Sequence, residues 1–164
     1  MEISMKQLVL FTAIIFTGLS AGLFYAWQVS VIPGTKKVVD ITYLETMQAI
    51  NRAILNPAFF LIFFGSLIML VISTAQHYQK GLSFWMLLLA TLVYLIGTFG
   101  VTAFGNVPLN DGLDIINLKE LTPERMATTR TNYEFKWNRL HLIRTVFAVI
   151  SFLLSLSALM VQSK

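Results

Sequence analysis

Residues 8–32 read LVLFTAIIFTGLSAGLFYAWQVSVI, and none of these side chains is charged at neutral pH. At a rise of about 1.5 Å per residue, a helix over this stretch exceeds the roughly 30 Å hydrocarbon core of a bilayer. A cleaved signal peptide has a shorter apolar region that ends in small residues. Because backbone polar groups in lipid must be satisfied within the segment, the stretch predicts a retained transmembrane helix.

Two further stretches, 57–75 and 82–105, are also uncharged, and a fourth, 140–161, is apolar apart from His141 and Arg144 near its start. Pro57 suits the first turn of the second helix. Gly105-Asn106, followed by Pro108, is expected to end the third helix. We therefore expect an all-α fold, a bundle of four transmembrane helices in which residues 1–164 form a single integral membrane domain.

The composition excludes several classes of protein. Hydrophobic residues make up 56% of the chain and charged residues 12%, against about 25% charged residues in ordinary soluble domains. This excludes a disordered chain, a nucleic-acid binder with a basic face and an ordinary cytosolic enzyme. The chain contains no cysteine, which excludes disulfides, thiolate metal sites and iron–sulfur clusters. The expected partner is a lipid bilayer and not a nucleic acid.

An even number of spans places both termini on one side of the membrane. Lysines and arginines are about equally dense on the two sides, so the sequence leaves the orientation open. We expect a multi-pass protein of a bacterial inner membrane. The pairs Gly18–Gly22 and Gly97–Gly100 are expected to let helices pack closely within the bundle, with a homo-oligomer interface as the alternative.

The first polar connection predicts an amphipathic helix from Asp40 to Leu55, because apolar residues recur there at spacings of three and four. Asp40 is expected to be its N-cap. The helix should lie at the membrane interface or over the mouth of the bundle. Its polar side chains, Gln48 and Asn51 among them, are either solvated or part of a site.

The second polar connection runs from Asn106 through Pro108 to Asn110 and Asp111. Asn106 is expected to cap the third helix in a left-handed conformation, and Asn110 or Asp111 to cap a short helix that follows. Held at the membrane boundary, the same side chains would also form a hydrogen-bonding rim. Taken alone, these residues favour the capping role.

Thr122-Pro123-Glu124 predicts the start of the last helix. Neither glycine nor proline follows, so we expect one helix of about 40 residues that projects from the membrane and then crosses it. At about 100° per residue, polar side chains fall on one face and its flank. They are Arg130, Glu134, Trp137, Asn138, His141, Arg144 and Thr145.

Arg144 precedes the uncharged run 145–161. An arginine at the centre of a membrane helix costs about 2.5–3.5 kcal/mol, and less near an interface, where it can snorkel. Two interpretations follow. The side chain either extends to the headgroups or faces a polar cavity, where it would pair with Glu134, Glu45 or Asp111. His141, one turn earlier on nearly the same face, favours the cavity.

His141 lacks partners for a metal site. His77 lies in the turn at the opposite side of the membrane, and no Glu-x-x-His spacing is present. The separation of the two histidines disfavours a haem held by both of them, and the lack of further ligands disfavours a bound metal. A histidine that orients or deprotonates a small substrate needs no such partner.

The strings NVPLND at 106–111 and WNRLHLIRT at 137–145 resemble the anthrone oxygenase-like membrane proteins. MQAINR at 47–52, followed by Asn56-Pro57, fits the same family pattern. The resemblance spans nearly the whole chain and implies the same four-helix order.

Characterised relatives in that family oxidise anthrones to anthraquinones with molecular oxygen, and they are thought to need no metal or flavin. The resemblance therefore implies an oxygenase without a cofactor that acts on a lipophilic small molecule. His141 would be the base, and Arg144 would stabilise the developing anion. The expected substrate-binding residues are Gln48, Asn51, Asn106, Asn110, Asp111, Glu134, Trp137 and Asn138.

Two other classes of function stay open at this point. A non-catalytic membrane protein that binds a lipid or small ligand, or assists a partner complex, would carry the same polar cluster. In that protein, salt bridges would satisfy the cluster internally and leave no room for a substrate. A transporter is disfavoured, because the sequence shows no inverted repeat or broken mid-membrane helix.

Overall fold

The computed structural model describes residues 4–79 and 81–162. These residues form helices α1 Met5–Thr35, α2 Asp40–Ala53, α3 Pro57–Gln76, α4 Leu82–Asp114 and α5 Pro123–Gln162, with a short 3-10 turn at Leu118–Glu120. No strand occurs within the described ranges. Helices α1, α3, α4 and α5 are long and apolar enough to cross a membrane. The chain is an all-α, multi-pass membrane protein, as predicted.

The four spans alternate in direction. Leu10, Leu87 and Ala158 pack together at one end of the bundle, near the beginnings of α1 and α4 and the end of α5. At the other end α2 lies across the bundle, and its Tyr43 and Met47 join a core with residues of α4 and α5. Large apolar side chains remain exposed on the outside, as expected for a surface that faces lipid.

The last helix confirms the prediction of a single long element. It runs for 40 residues without interruption. Oγ1 of Thr122 accepts the backbone N–H of Arg125 at 3.4 Å, which satisfies one of the free donors of the first turn. Because α5 is continuous, it carries side chains from the polar end of the protein directly into the bundle.

The third span corrects the sequence analysis. Helix α4 does not end at Gly105-Asn106 but continues to Asp114. Asn106 has right-handed helical angles, φ −69° and ψ −40°, and not the left-handed conformation expected of a cap. Asn110 and Asp111 therefore lie inside a helix and cap nothing.

Wide π-helical turns explain how the helices continue past their prolines. One spans Trp27–Val31, just before Pro33, and another spans Thr102–Asn106, just before Pro108. In a regular α-helix, the proline ring collides with the carbonyl group four residues back and leaves it without a donor. In the wider turn Val107 N–H bonds to the oxygen of Thr102, so the backbone has already changed register when the proline arrives.

Helix α2 is fixed to its neighbours near both of its ends. It begins at Asp40, and the preceding residue holds the N-cap position, so the predicted capping role of Asp40 is wrong. The Asp40 carboxylate instead lies 2.9 Å from Nη1 of Arg130 on α5. Further along α2, Nε2 of Gln48 donates to the carbonyl oxygens of Leu113 and Ile116 at 2.9 and 3.0 Å. These contacts hold α2 across the bundle.

The glycines of the spans give a test of the packing. A Cβ at Gly97 would collide with the ring of Phe147, whereas a Cβ at Gly22 would meet no atom within 4 Å. We expect Gly97→Ala to lower the free energy of unfolding by about 1–3 kcal/mol. Gly22→Ala should change it by less than about 0.5 kcal/mol. Thermal unfolding in detergent micelles measures both, and equal midpoints would contradict this packing.

Candidate functional site

Arg144 is the charged side chain at the centre of the site. It is only 8% exposed, which excludes a side chain that extends along the surface to the headgroups. Its Nε and Nη2 donate to Nδ1 of His141 at 3.1 and 2.9 Å, and its Nη1 donates to Oγ1 of Thr102 at 3.4 Å. Each terminal nitrogen of a guanidinium carries a second N–H, for which no described residue supplies an acceptor.

The acidic side chains expected to pair with Arg144 do not do so. Glu134 accepts from Nε of Arg130 at 3.0 Å, and Glu45 and Asp111 are exposed. Among the described residues, no carboxylate oxygen lies within 4.0 Å of the Arg144 guanidinium nitrogens. A buried cation without a counter-charge is costly. The arrangement is suited to a ligand that brings the negative charge.

The guanidinium of Arg144 packs against aromatic rings. Its central carbon lies 4.6 Å from the ring centre of Phe24 and 5.2 Å from that of Trp137, so cation–π attraction offsets part of the cost of burial. Trp137 stacks on His141, with ring centres 4.9 Å apart and planes at 6°. The ring centres of Trp27 and Trp137 are 5.8 Å apart. The rings form an aromatic wall beside the cation.

The contacts of His141 define its protonation state. Arginine can only donate a hydrogen bond, so Nδ1 of His141, which faces Arg144, carries no hydrogen. Nε2 lies 3.0 Å from the carbonyl oxygen of Phe24. A carbonyl oxygen can only accept, so Nε2 carries the hydrogen. This hydrogen-bond pattern assigns a neutral imidazole whose two nitrogens both have partners.

A chain of hydrogen bonds joins α2, α4 and α5 beside Arg144. Nδ2 of Asn51 donates to the hydroxyl of Tyr133 at 3.0 Å, and this hydroxyl donates to Oδ1 of Asn110 at 3.0 Å. Nε1 of Trp137 donates to the same Oδ1 at 2.8 Å. The structure thus brings together two asparagines that are 59 positions apart in the sequence.

These side chains surround a cavity. The centre of a water molecule can move within about 80 Å³ of it, and all of its empty space, including open solvent at the mouth, measures about 600 Å³. Leu55 and Val107 line it while remaining 63% and 39% exposed, so the mouth is apolar. The polar lining consists of Asn51, Thr102, Asn110, Trp137, His141 and Arg144. Polar groups therefore converge inside, behind a hydrocarbon entrance.

A scan against protein families matches the anthrone oxygenase family over residues 47–154. The match covers more than half of the chain, including every polar residue of the cavity lining. The chain belongs to the anthrone oxygenase family. This confirms the resemblance drawn from the sequence. Searches of curated proteins and of solved structures gave no match.

Five of the predicted substrate-binding residues do not line the cavity of this anthrone oxygenase family member: Gln48, Asn106, Asp111, Glu134 and Asn138. Gln48 and Glu134 make the contacts with α4 and with Arg130 described above. Asp111 is exposed, and Asn138 is half-buried.

Asn106 is fully buried beside the site without entering its lining. Its Nδ2 donates to the carbonyl oxygen of Trp137 at 3.3 Å. Its Oδ1 has no hydrogen-bond partner within the described part of the chain. Asn106 thus links α4 to the backbone of α5 directly behind the stacked indole.

Four residues of this geometry escaped the sequence analysis: Phe24, Trp27, Thr102 and Tyr133. Phe24 and Trp27 stand in an apolar run, where an aromatic residue carries no functional signal. Tyr133 could have been found, because it precedes Trp137 by four positions and Trp137 precedes His141 by four. Residues with this spacing share one face of a helix.

The two histidines of the anthrone oxygenase family member lie at opposite ends of the bundle, as expected. Nδ1 of His77 is 2.7 Å from the carbonyl oxygen of Ser73, far from the cavity around His141. Across the described residues, no three histidine, aspartate or glutamate side chains come together as candidate ligands of a metal ion.

The buried Arg144 and the half-buried Arg130 provide a matched test of the site. Replacing Arg130 removes the partner of Asp40 and Glu134, so we expect Arg130→Met to cost roughly 1–2 kcal/mol of folding stability. Arg144→Met removes an uncompensated charge and should leave the stability unchanged or raised. Thermal unfolding in micelles measures both effects. A larger loss for Arg144→Met than for Arg130→Met would mean that the Arg144 cation serves the fold.

Proposed function

We propose that this protein is a membrane-embedded oxygenase that oxidises an anthrone-type aromatic ketone with O2 in the cavity around Arg144. The observation that carries the proposal is a buried guanidinium that lines a cavity without a carboxylate partner. An anthrone becomes an enolate when it loses a benzylic proton. That enolate supplies the negative charge that the cavity lacks.

The reaction balances without a further reactant. The methylene carbon loses one proton, and the resulting enolate transfers electrons to O2 and forms a carbon–oxygen bond. Protonation gives a hydroperoxide. Loss of water from the hydroperoxide leaves a carbonyl group, so one anthrone and one O2 give one anthraquinone and one water. The protein has to stabilise the enolate and move the proton.

Arg144 is the group that stabilises the enolate oxygen in this proposal. The N–H groups that have no acceptor in the described structure bind that oxygen, and the aromatic wall keeps water from the cation. A charge interaction in such a dry site is much stronger than in water. Asn110 lines the same cavity and assists by orienting the substrate.

His141 takes the benzylic proton at Nδ1. In the resting arrangement, Arg144 donates to this atom, so the guanidinium must turn toward the substrate oxygen before Nδ1 can accept the proton. The bond from Nε2 to Phe24 holds the ring in place. Substrate binding and activation of the base are thereby one event, which limits proton transfer when the cavity is empty.

The shape of the cavity suits a substrate that arrives from the bilayer. The oxygenated edge of the molecule would lie beside Arg144, while the remaining rings occupy the open mouth. Phe59, Leu55 and Val107 line that mouth with apolar surface. The bilayer is therefore the partner that delivers the substrate. A purely ligand-holding protein with internal salt bridges would leave neither an unpaired cation nor a cavity.

Oxygen uptake tests the role of Arg144. Purified protein in lipid nanodiscs should consume O2 and form anthraquinone from anthrone faster than buffer and empty nanodiscs do. Arg144→Met should lower kcat/KM by about 10²–10³-fold, the usual effect of removing an oxyanion donor. His77→Gln changes a histidine at the opposite end and should keep full activity. Wild-type protein without anthrone-dependent uptake would refute the proposed function.

The base assignment has a separate test. We expect His141→Gln to lower kcat by about 10²-fold or more and to leave binding of the product anthraquinone nearly unchanged, because Arg144 remains. Replacing the two methylene hydrogens by deuterium should slow the variant further, since proton removal then limits the rate. Unchanged kcat in His141→Gln would assign the base to another group.

A further inference from the structure

Tyr133 is a buried residue next to the cavity but outside its lining. It is 6% exposed, and its hydroxyl lies between the side chains of Asn51 and Asn110, both of which line the cavity. Trp137 makes the third hydrogen bond, to Asn110. The chemistry of these three contacts fixes which atom of each amide is oxygen and which is nitrogen.

The assignment starts from Trp137. An indole N–H can only donate, so the Asn110 atom 2.8 Å away must be the carbonyl oxygen. The Tyr133 hydroxyl faces the same oxygen at 3.0 Å and must donate its hydrogen there. Its oxygen is then left to accept, so the Asn51 atom at 3.0 Å must be the nitrogen. No other orientation of the two amides satisfies all three bonds.

The opposite edge of each amide is left without a partner among the described residues. For Asn110 this edge is the NH2 group, and for Asn51 it is the carbonyl oxygen. The cavity therefore contains donors from Arg144 and Asn110 and an acceptor from Asn51. Such a set is complementary to a ligand that carries an oxyanion or ketone together with a separate hydroxyl group.

The two asparagines differ in how firmly they are held. Asn110 has two donors to its oxygen, from Trp137 and from Tyr133. Within the described residues, the side chain of Asn51 makes one hydrogen bond, to Tyr133. Without the Tyr133 hydroxyl, Asn110 would keep its orientation, whereas the amide of Asn51 would be free to rotate and to present either end to the cavity.

We propose that Tyr133 is a positioning residue that turns the Asn51 carbonyl toward the cavity and so makes the site select aromatic ketones with a hydrogen-bond-donating hydroxyl group. The choice of ligand class rests on the proposed function. The positioning role rests on the three hydrogen bonds alone, so the two can fail separately.

The binding test compares 2-hydroxyanthraquinone with its methyl ether, 2-methoxyanthraquinone, which cannot donate. Tryptophan quenching in nanodiscs gives both dissociation constants. Wild-type protein should prefer the hydroxyl compound by about fivefold or more, as a single hydrogen bond provides. In Tyr133→Phe the ratio should fall to about one while the affinity for the ether stays within about twofold.

Tyr43→Phe is the matched control, because it also removes one buried phenol hydroxyl. Tyr43 packs on Tyr133 with ring centres 6.4 Å apart, and among the described residues it makes no hydrogen bond to either asparagine. Burial, with the Glu134 carboxylate nearby, raises the pKa of Tyr43 above its ordinary value, so this variant changes no charge at neutral pH. It should keep the wild-type preference.

Asn51→Leu is the second variant, and it removes the acceptor itself. It should lose the preference as Tyr133→Phe does, and adding Tyr133→Phe to it should change the ratio no further, because Tyr133 acts through Asn51. A wild-type ratio near one, or a preference that survives Tyr133→Phe, overturns the inference.

Side-chain amide exchange distinguishes this inference from the proposed function. In protein labelled with 15N-asparagine, the NH2 group of Asn51 should exchange with water severalfold faster in Tyr133→Phe than in wild type, and Tyr43→Phe should leave it unchanged. Wild-type protein that binds neither quinone would refute the proposed function, and the exchange rates would still decide the positioning role. Equal exchange in wild type and Tyr133→Phe would overturn it.

Discussion

The site depends on the burial of the Arg144 guanidinium without a carboxylate partner. Neutral acceptors and aromatic rings offset part of the cost of burying this charge, but they stabilise it less than a counter-ion would. The buried cation therefore lacks a counter-charge, which an anionic ligand can supply. Functional sites often retain such locally unfavourable arrangements, because the same group that weakens the fold stabilises a bound anion.

The surrounding fold buries that cation and still leaves it lining the cavity. Helix α2 lies across the polar end of the bundle, fixed to α5 through Asp40 and to α4 through Gln48. The π turn before Pro108 lets α4 continue past the membrane boundary and places Asn110 beside Trp137. An α-helix that stopped at Asn106 would have left this side of the cavity open.

Membership of the anthrone oxygenase family and the geometry of the cavity both support the proposed oxygenase, and they rest on different observations. The family match comes from residues 47–154 as a sequence, while the absence of a carboxylate near Arg144 comes from the described coordinates. Neither argument explains how the amide groups in the cavity are oriented, and the position of Tyr133 does. It links the outer hydrogen-bond network to the orientation of a single amide in the cavity.

Much of the architecture followed from the sequence alone. Long uncharged runs must become helices in lipid, which determined the four spans, and the absence of glycine and proline after Pro123 determined the length of α5. The spacing of Trp137, His141 and Arg144 placed them near one face. Local rules failed at Pro108 and Asn106, because a proline normally ends a helix and a π turn has no clear sequence signal.

Tertiary structure alone decided which polar groups meet. Glu134 lies four residues from Arg130, a spacing that allows this pair on one helix face, but only the position of α2 shows that Asp40 also binds Arg130. Hydrogen bonds between residues far apart in the chain, such as that of Asn51 with Tyr133, depend on how helices pack. Periodicity describes the face of one helix; it carries no information about the side chain that another helix places opposite.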